Sequence, residues 1–577
     1  MFRFGTVIST LTWVLLTGIL VACGGGGGGS SSPPASSVAN QPPSSIAISS
    51  STAQSASTVQ SSVSSISSSA SSQSSLSATL NISGKVTFDF IPHNIDGLDY
   101  AAVIARAGRG LQVELVDENN SVLATTQTDV DGNYSIGVTR NKLVKVRVKA
   151  QLLKNQAPGW NFKVTDNTND NALYSMTGSL LIATDANATR NLHAPSGWTG
   201  TGYTQTRVAA PFAILDTIYE GVTRLRSAGN SAAFPALELR WSSKNKPADG
   251  ELTLGEIGTS FFWGDAIYIL GDENNDTDEY DRHVLLHEWG HYVEASFSRS
   301  DSIGGDHSHD EKLDMRVAMS EGFANAFSAM MLDDVNYRDS SGPQQSDGFS
   351  NNISQKNNSV RGWYSEASVQ SVLYNFYASN SGKTAKNFAD IFQVINAVNY
   401  VNSNSLISIY TFADQLRKQI PGQVTNFNSL LAEQNIEITD EYGAGESNSG
   451  GYIASLPVYK TLTVDNVPVN VCSTNRFGSY NKLATSQYLF INVASSGTYK
   501  FTAVEVGDSG DSDPDLYLFR RGSLIGIAEN PTVDQDNVSR FLSAGNYVLE
   551  VTDARARDVD EASQITACFD IRAQLLN

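Results

Sequence analysis

The chain is poor in cysteine, histidine and basic residues, and each shortage narrows the possible functions. Three cysteines in 577 residues exclude a disulfide-rich scaffold. The 39 lysines and arginines are outnumbered by 59 aspartates and glutamates, so the formal net charge is -20. Because nucleic acids are bound through clustered basic residues, this balance argues against a nucleic-acid partner.

Long apolar runs are also scarce, and the clearest one lies at the N-terminus. Residues 7–22 are apolar and follow Arg3, and at about 16 residues the run is short for a membrane span and typical of a signal-peptide core. It ends in Leu20-Val-Ala-Cys23, which resembles a bacterial lipoprotein lipobox. The resemblance implies a signal peptide over residues 1–22, a lipid on Cys23 that binds the membrane, and an outer-membrane location because Gly24 follows. An ordinary secretory signal is the alternative, and export is expected either way.

If Cys23 carries a lipid, two cysteines remain. Cys472 and Cys568 both lie in the C-terminal segment and would both be exported to an oxidising compartment. They predict one disulfide, with two free buried thiols as the alternative.

Residues 23–79 contain six consecutive glycines and then mostly Ser, Ala, Pro and Gln, with almost no charge or aromatic residues. Such a composition cannot bury enough apolar surface to offset the entropy of ordering. We predict a flexible tether here.

At 577 residues the whole chain is too long for one core, and this length suggests about three or four domains. Residues 80–200 alternate between apolar and polar side chains with Asp-Gly and Asn-Asn turns, which predicts a β-sandwich. The segment Thr128-Asp-Val-Asp-Gly-Asn-Tyr134 resembles carboxypeptidase regulatory-like modules, and this resemblance implies a fold but no site.

Strand patterns return over residues 456–577. The segments at residues 513–518 and 542–547 resemble the β-sandwich known as the pre-peptidase C-terminal domain. Three aspartates there are candidate Ca²⁺ ligands, with a solvated turn as the alternative reading. They are Asp511, Asp513 and Asp515.

Between these two regions, residues 201–455 follow a helical period and predict an α+β, mainly helical domain. The predicted helices include residues 282–297 and 315–332, and a single strand is predicted over residues 259–270. We expect the acidic run from Asp276 to Glu279 to cap the first of these helices.

That helix contains His287-Glu-Trp-Gly-His291. Residues four apart lie on one helical face, so two imidazoles can reach one Zn²⁺ at about 2.0–2.1 Å. Glu288 lies beside the metal and is placed to act as the catalytic general base. His283 is also on this face, but it lies too far from His291 to share the ion.

The run resembles the zincin metallopeptidases. In the metzincin branch a third histidine follows, at a position occupied here by Phe297, so the gluzincin branch is favoured, in which a following helix supplies a glutamate. That resemblance implies Glu321 as the third ligand, with Asn325 accepting a hydrogen bond from a ligating imidazole. His307 and His309 remain alternatives for the third ligand, although an exposed polar loop is the favoured interpretation of both.

The reaction also needs a group that stabilises the developing oxyanion, and Tyr364 and His309 are candidates. Zincins hold an extended substrate along a strand, which residues 262–270 are predicted to supply. Glu366 is predicted to be only a charge at a helix N-terminus.

The favoured function is therefore a zinc endopeptidase acting on extracellular or envelope polypeptides, expected to be a monomer. One alternative is a surface-anchored binding lipoprotein with a degenerate zincin core. Another is a zinc hydrolase of peptidoglycan or glycoprotein. A glutamate that ligates nothing favours the enzyme, because a structural zinc site does not need one.

Overall fold

The computed structural model describes residues 79–184, 188–379, 385–437, 440–507, 511–531 and 533–576. The predicted signal peptide, Cys23 and nearly all of the predicted tether lie outside the described residues. Within the described residues, no helix is both long enough and apolar enough to cross a membrane.

The N-terminal region consists of strands. They are β1 (Thr79–Phe90), β2 (Ile104–Ala107), β3 (Leu111–Val116), β4 (Val122–Gln127), β5 (Asn133–Thr139), β6 (Leu143–Lys154), β7 (Trp160–Asp166), β8 (Ala172–Leu173), β9 (Ser175–Thr177), β10 (Leu181–Ile182), β11 (Ala188–Thr189) and β12 (Leu192–Ala194). In β6, Val144, Val146 and Val148 are buried while their neighbours are only partly buried, as the two-residue period of a strand requires. β1 pairs with β2, β5, β11 and β12 in a five-stranded sheet that shares one hydrophobic core with the β3–β6–β7 sheet. This arrangement is consistent with the predicted β-sandwich.

The middle region begins with α1 (Ala210–Ser227) and contains most of the helices. The elements that follow are β13 (Leu237–Trp241), β14 (Phe261–Trp263), β15 (Ala266–Ile269), β16 (Gly271–Asp272), β17 (Asp276–Thr277), α2 (Arg282–Phe297), α3 (Met315–Leu332), β18 (Asn336–Ser341), β19 (Asp347–Asn352), α4 (Glu366–Ser379), α5 (Ala385–Ile395), α6 (Val398–Val401), α7 (Ile409–Gln419) and α8 (Val424–Glu433). The predicted helices over residues 282–297 and 315–332 have these bounds.

The larger N-terminal sheet continues into this middle region. β13 pairs with β7 in parallel, and β15 and β14 follow, giving the order β14-β15-β13-β7-β6-β3-β4 within a ten-stranded sheet. The sheet therefore crosses residue 200, where the sequence predicts a domain boundary.

Two local predictions are wrong. The single strand expected over residues 259–270 is a hairpin, because the chain reverses at Gly264, whose φ of 64° suits a residue without a side chain. The expected acidic cap on α2 is absent as well. Asp278 and Glu279 are buried before the helix begins, where they accept hydrogen bonds from Ser260 and Arg207 respectively.

The C-terminal region is formed by two sheets. Its elements are β20 (Tyr459–Thr461), β21 (Val469–Thr474), β22 (Ser486–Val493), β23 (Gly497–Glu505), β24 (Pro514–Arg520), β25 (Ser523–Ala528), β26 (Gln535–Leu542), β27 (Gly545–Asp553), α9 (Ala554–Arg557) and β28 (Thr566–Leu576). The sheet orders are β20-β22-β27-β24-β25 and β21-β28-β23-β26, and the two sheets enclose a separate core that includes Leu489, Phe501 and Phe569. Cys472 and Cys568 face each other across β21 and β28 and form the predicted disulfide.

Candidate metal centre

Two packed helices form the framework of the centre. Twelve residues of α2 are buried, including both histidines of its motif. Gly290 allows α3 to approach closely, because a Cβ at this position would lie 3.2 Å from the Phe327 ring and 3.3 Å from the Ala324 Cα. The small residues on these facing surfaces bring side chains from the two helices together in the interior.

His287, His291 and Glu321 converge in that interior. The two Nε2 atoms are 3.1 Å apart, and Glu321 Oε2 lies 3.2 Å from His287 Nε2 and 3.3 Å from His291 Nε2. All three side chains are buried and form a group that can hold a metal ion. Three ligands of a tetrahedral ion at about 2.0–2.1 Å lie roughly 3.3–3.4 Å from one another, so the spacing fits such an ion.

The proton positions on the two imidazoles support the same conclusion. Asn325 Oδ1 can only accept, so His287 donates from Nδ1 across 2.8 Å and its Nε2 is left with a lone pair. Ser320 donates to Glu294 Oε2 over 2.7 Å, and His291 Nδ1 lies 3.3 Å from the Ser320 oxygen. With Nδ1 of each ring engaged, both Nε2 atoms face each other and the Glu321 carboxylate. Burial lowers the pKa of His287, whereas for His291 Glu321 and Glu294 outweigh burial and raise the pKa, so the group favours one positive charge, which a bound cation can supply in place of a proton.

The charge state of Glu321 agrees with a role as a ligand. Burial alone raises the pKa of its carboxyl, but His307, His291 and His287 outweigh that effect and hold the pKa well below its usual range. Glu321 Oε1 is buried and forms no hydrogen bond within the described part of the chain. Glu321 is thus an anion with one oxygen aimed at the two imidazoles.

Glu288 lies beside the group and not in it. Its Oε2 accepts a hydrogen bond of 2.7 Å from the backbone N–H of Phe262 at the β14 edge, whereas Oε1 is buried and has no hydrogen-bond partner among the described residues. Burial raises the pKa of this carboxyl to about 8. A carboxyl held by one oxygen and unsatisfied at the other can exchange a proton with a molecule placed next to it.

His307 is also next to the metal group, and the expectation that it belongs to an exposed loop is wrong. His307 is only 9% exposed. Its Nδ1 donates a hydrogen bond of 2.7 Å to Glu366 Oε2, and its Nε2 lies 3.3 Å from Glu321 Oε2. Glu366 is therefore more than a charge at the start of α4, since it orients His307. The sequence contains no signal for this pair, because the two residues are 59 positions apart and neither belongs to a motif.

The remaining candidates are not brought into the group. The Tyr364 hydroxyl donates to Asn448 Oδ1 at 2.9 Å and lies 3.2 Å from the Arg361 carbonyl oxygen. His309 Nε2 accepts from Asn351 at 2.8 Å, and His283 Nε2 lies 3.3 Å from the Asp334 carbonyl oxygen. Two of these residues were candidates for stabilising the oxyanion. His309 lines a cavity next to the centre, described below, and Tyr364 is not among the lining residues.

An open cavity of about 400 Å³ adjoins the centre. Its lining includes His307, Asn325 and Glu366, together with Asp339 of β18 and Phe349 of β19. His287, His291 and Glu321 are not among its lining residues; Asn325, which accepts a hydrogen bond from His287, and His307, whose Nε2 lies 3.3 Å from Glu321 Oε2, separate them from this space.

Comparison with known proteins identifies one family in this region. Residues 236–427, which contain all three convergent side chains, match the family described as the Mycolysin C-terminal domain. No curated protein matches the chain. The match supports a peptidase-associated architecture.

Three of the solved structures that match the chain each align with one fifth of it. The pre-peptidase C-terminal domain of collagenase from Bacillus anthracis is 10% identical, with a TM-score of 0.15, and the alignment covers 20% of this chain and 94% of that one. The g-type lysozyme inhibitor PliG of Aeromonas hydrophila is 15% identical over 20% of this chain and 99% of its own, with a TM-score of 0.13. The plantain pollen allergen Pla l 1 is 17% identical over 20% and 90%, also with a TM-score of 0.13. At these TM-scores the similarities carry no functional argument.

Proposed function

We propose that the protein is a zinc-dependent metalloendopeptidase of extracellular or envelope polypeptides. The observation that carries the proposal is the convergence of His287, His291 and Glu321 within 3.3 Å of one another beside a glutamate that ligates nothing. Two imidazoles and one carboxylate are a ligand set typical of catalytic zinc, because three protein ligands leave one position open. When bound, Zn²⁺ supplies Lewis acidity toward a carbonyl oxygen and acidifies a water molecule.

In this proposal Glu288 takes the proton from the attacking water through its unsatisfied Oε1 and passes it to the leaving amine. The Phe262 N–H holds the other carboxylate oxygen and so fixes the direction in which the proton moves. His307, oriented by Glu366, is the side chain placed to donate a hydrogen bond to the carbonyl oxygen as negative charge develops there.

The substrate in this proposal is an extended peptide that pairs with the edge of the ten-stranded sheet. β14 is the last strand in the sheet order, and Phe262, which contacts Glu288, is its central residue. An added strand would therefore place its peptide bonds next to the proton-transfer group.

The decisive experiment compares Glu288→Gln with the wild-type protein. We expect bound zinc, measured by atomic emission, to stay at one equivalent, and casein cleavage to fall by at least about 10²-fold because proton transfer is lost. Glu251→Gln, which changes an exposed glutamate of the same region, is the control and should retain full activity. Cleavage that survives in Glu288→Gln would refute the role of Glu288.

The third ligand is tested by comparing Glu321→Ala with His307→Ala and His309→Ala. We expect zinc to be lost only in Glu321→Ala, because its oxygen alone lies within 3.3 Å of both ligating imidazoles. Zinc loss in His307→Ala with retention in Glu321→Ala would reverse the assignment.

We also propose that the protein is exported and attached to the outer membrane by a lipid on Cys23, on the basis of the lipobox-like sequence alone. Labelling with an alkyne-bearing palmitate should be lost in Cys23→Ser, and labelling that persists in this variant would contradict the proposal.

A further inference from the structure

A second group of buried acids lies next to the start of α2, outside the metal centre. This acidic cluster consists of Asp276 in β17, Asp278 just after it, and Asp339 in β18. One carboxylate oxygen from each lies within 4.8 Å of the other two. The strands bring them together, since Asp276 pairs with Ser341 two residues beyond Asp339.

The charges of the acidic cluster are compensated only weakly within the described residues, since His93, which lowers the pKa of Asp339, is itself bonded to Asp281. Among the described residues, no lysine, arginine or histidine forms an ion pair with any of the three carboxylates. The neighbouring Asp281 does not help, because it is itself an acid whose two oxygens are bonded to His93 and to Ser340. Asp278 is only 2% exposed and accepts a hydrogen bond from Ser260.

Two oxygens in the acidic cluster lack a hydrogen-bond donor among the described residues. Oδ1 of Asp276 and Oδ1 of Asp339 are buried, and nothing in the described part of the chain donates to either. A buried carboxylate oxygen without a donor is costly, and such atoms are rare in folded proteins unless a ligand satisfies them. Burial and repulsion from Asp339 and other nearby aspartates raise the pKa of Asp276 to about 9. Burial and repulsion from Asp281 raise the pKa of Asp339 to about 7, although His93 opposes this shift.

We propose that the acidic cluster is a Ca²⁺ site that fixes the wall of the cavity to the start of the metal-binding helix. An all-oxygen set of carboxylates suits a hard cation and not a soft one. Oxygens on opposite sides of Ca²⁺ lie roughly 4.6–5.2 Å apart, so a cluster that spans at most 4.8 Å fits around this ion. Asp276 and Asp339 are partly exposed, which leaves room for the water ligands that complete six to eight coordination.

The position of the site gives it a consequence for the cavity. Asp339 lies on β18 opposite Phe349 of β19, and both residues line the cavity beside the metal centre. Asp278 is four residues before Arg282, where α2 begins. The ion would therefore join the β18–β19 hairpin to the helix that carries His287 and His291, without contacting either histidine.

The test uses the full exported chain, treated with EGTA and checked to retain its zinc, and titrated with CaCl₂ by calorimetry. We expect the number of bound Ca²⁺ ions to fall by one in Asp276→Asn and in Asp339→Asn relative to the wild type. The melting temperature of the wild type should rise when Ca²⁺ is added. The contribution of this site to the rise should be lost in both variants, so their melting temperatures should rise less.

Two controls separate this site from other acids. Asp347→Asn changes an exposed aspartate in β19 of the same hairpin and should bind as many Ca²⁺ ions as the wild type. Asp513→Asn removes a candidate ligand in the C-terminal sheets, so any ion bound there is counted separately. Zinc content is measured in every variant, which makes the result independent of peptidase activity.

Equal Ca²⁺ stoichiometry in the wild type and in both cluster variants would overturn the proposal. It would also be overturned if Asp276→Asn and Asp339→Asn were more stable than the wild type in saturating Ca²⁺, because the cluster would then be only a repulsive group. Neutralising one carboxylate of such a group relieves repulsion, so the variants are expected to fold.

Discussion

Asn325 determines how His287 can act as a ligand. Its amide oxygen accepts a hydrogen bond from the Nδ1–H of His287, so Nε2 is the ring nitrogen that faces Glu321 and His291. An amide does this without a charge, whereas an aspartate at this position would also make the imidazole more basic. The residue thus sets the proton position and the ring orientation.

We predict that Asn325→Ala lowers zinc affinity by about 10–100-fold, because His287 loses the partner that fixes its ring. Asn325→Asp should hold zinc at least as tightly as the wild type. Competition with a fluorescent chelator measures both affinities. Asn351→Ala, which changes another asparagine lining the cavity, is the control and should leave the affinity unchanged. Equal affinity in Asn325→Ala and the wild type would show that ring orientation does not depend on this bond.

At the scale of elements, the centre depends on how closely α2, α3 and α4 pack. Gly322 lies next to Glu321, and a Cβ at this position would lie 2.5 Å from the Val369 Cβ and 2.7 Å from the backbone oxygen of Glu366. Because one of these contacts is backbone, α4 would have to move as a whole. Glu321 on α3 and Glu366 on α4 are therefore positioned by the same contact.

We predict that Gly322→Ala lowers the free energy of unfolding by about 1–3 kcal/mol through overpacking, despite the better helix propensity of alanine. Zinc affinity should fall with it, since Glu321 shifts. Urea unfolding and chelator competition measure the two effects. Gly422→Ala adds a Cβ where nothing lies within 4 Å and should be nearly neutral. A neutral Gly322→Ala would mean that α3 and α4 are less tightly packed than described.

At the scale of the whole molecule, the C-terminal sheets are joined to α3, the helix that carries Glu321, through a buried ionic group. Arg316, on the first turn of α3, donates to both carboxylate oxygens of Glu550 on β27 at 2.9 Å, and also to Asp314. Tyr488 of β22 bonds to Asp314 as well. Since Glu321 lies further along the same helix, the C-terminal region braces the helix that supplies the third predicted ligand.

We predict that Arg316→Met costs about 3–5 kcal/mol of stability, because Asp314 and Glu550 are left as buried charges without a cation. The triple variant Arg316→Met, Asp314→Asn, Glu550→Gln should recover part of this loss. Lys356→Met, which removes a half-exposed ion pair with Glu433, should cost no more than about 1 kcal/mol. Chemical denaturation measures all three, and a loss below about 1 kcal/mol in Arg316→Met would argue against a role for the junction in stability.

The sequence alone determined the features that depend on short-range spacing. The helices over residues 282–297 and 315–332 are predicted from local sequence pattern, and the alternate burial of Val144, Val146 and Val148 follows from a two-residue period. The pairing of Cys472 with Cys568 followed by elimination, since only two cysteines lie outside the signal region.

Only the tertiary structure decided which distant side chains meet. The His307–Glu366 pair, the continuation of one sheet past residue 200 and the acidic cluster join segments about 60 or more residues apart, and no local period records such contacts. The turn at Gly264 is a local feature, but the sequence pattern did not predict it, because one glycine within an apolar run is a weak signal for a chain reversal. Packing selects these contacts by side-chain volume and buried charge. These constraints act between segments that only the folded chain brings together.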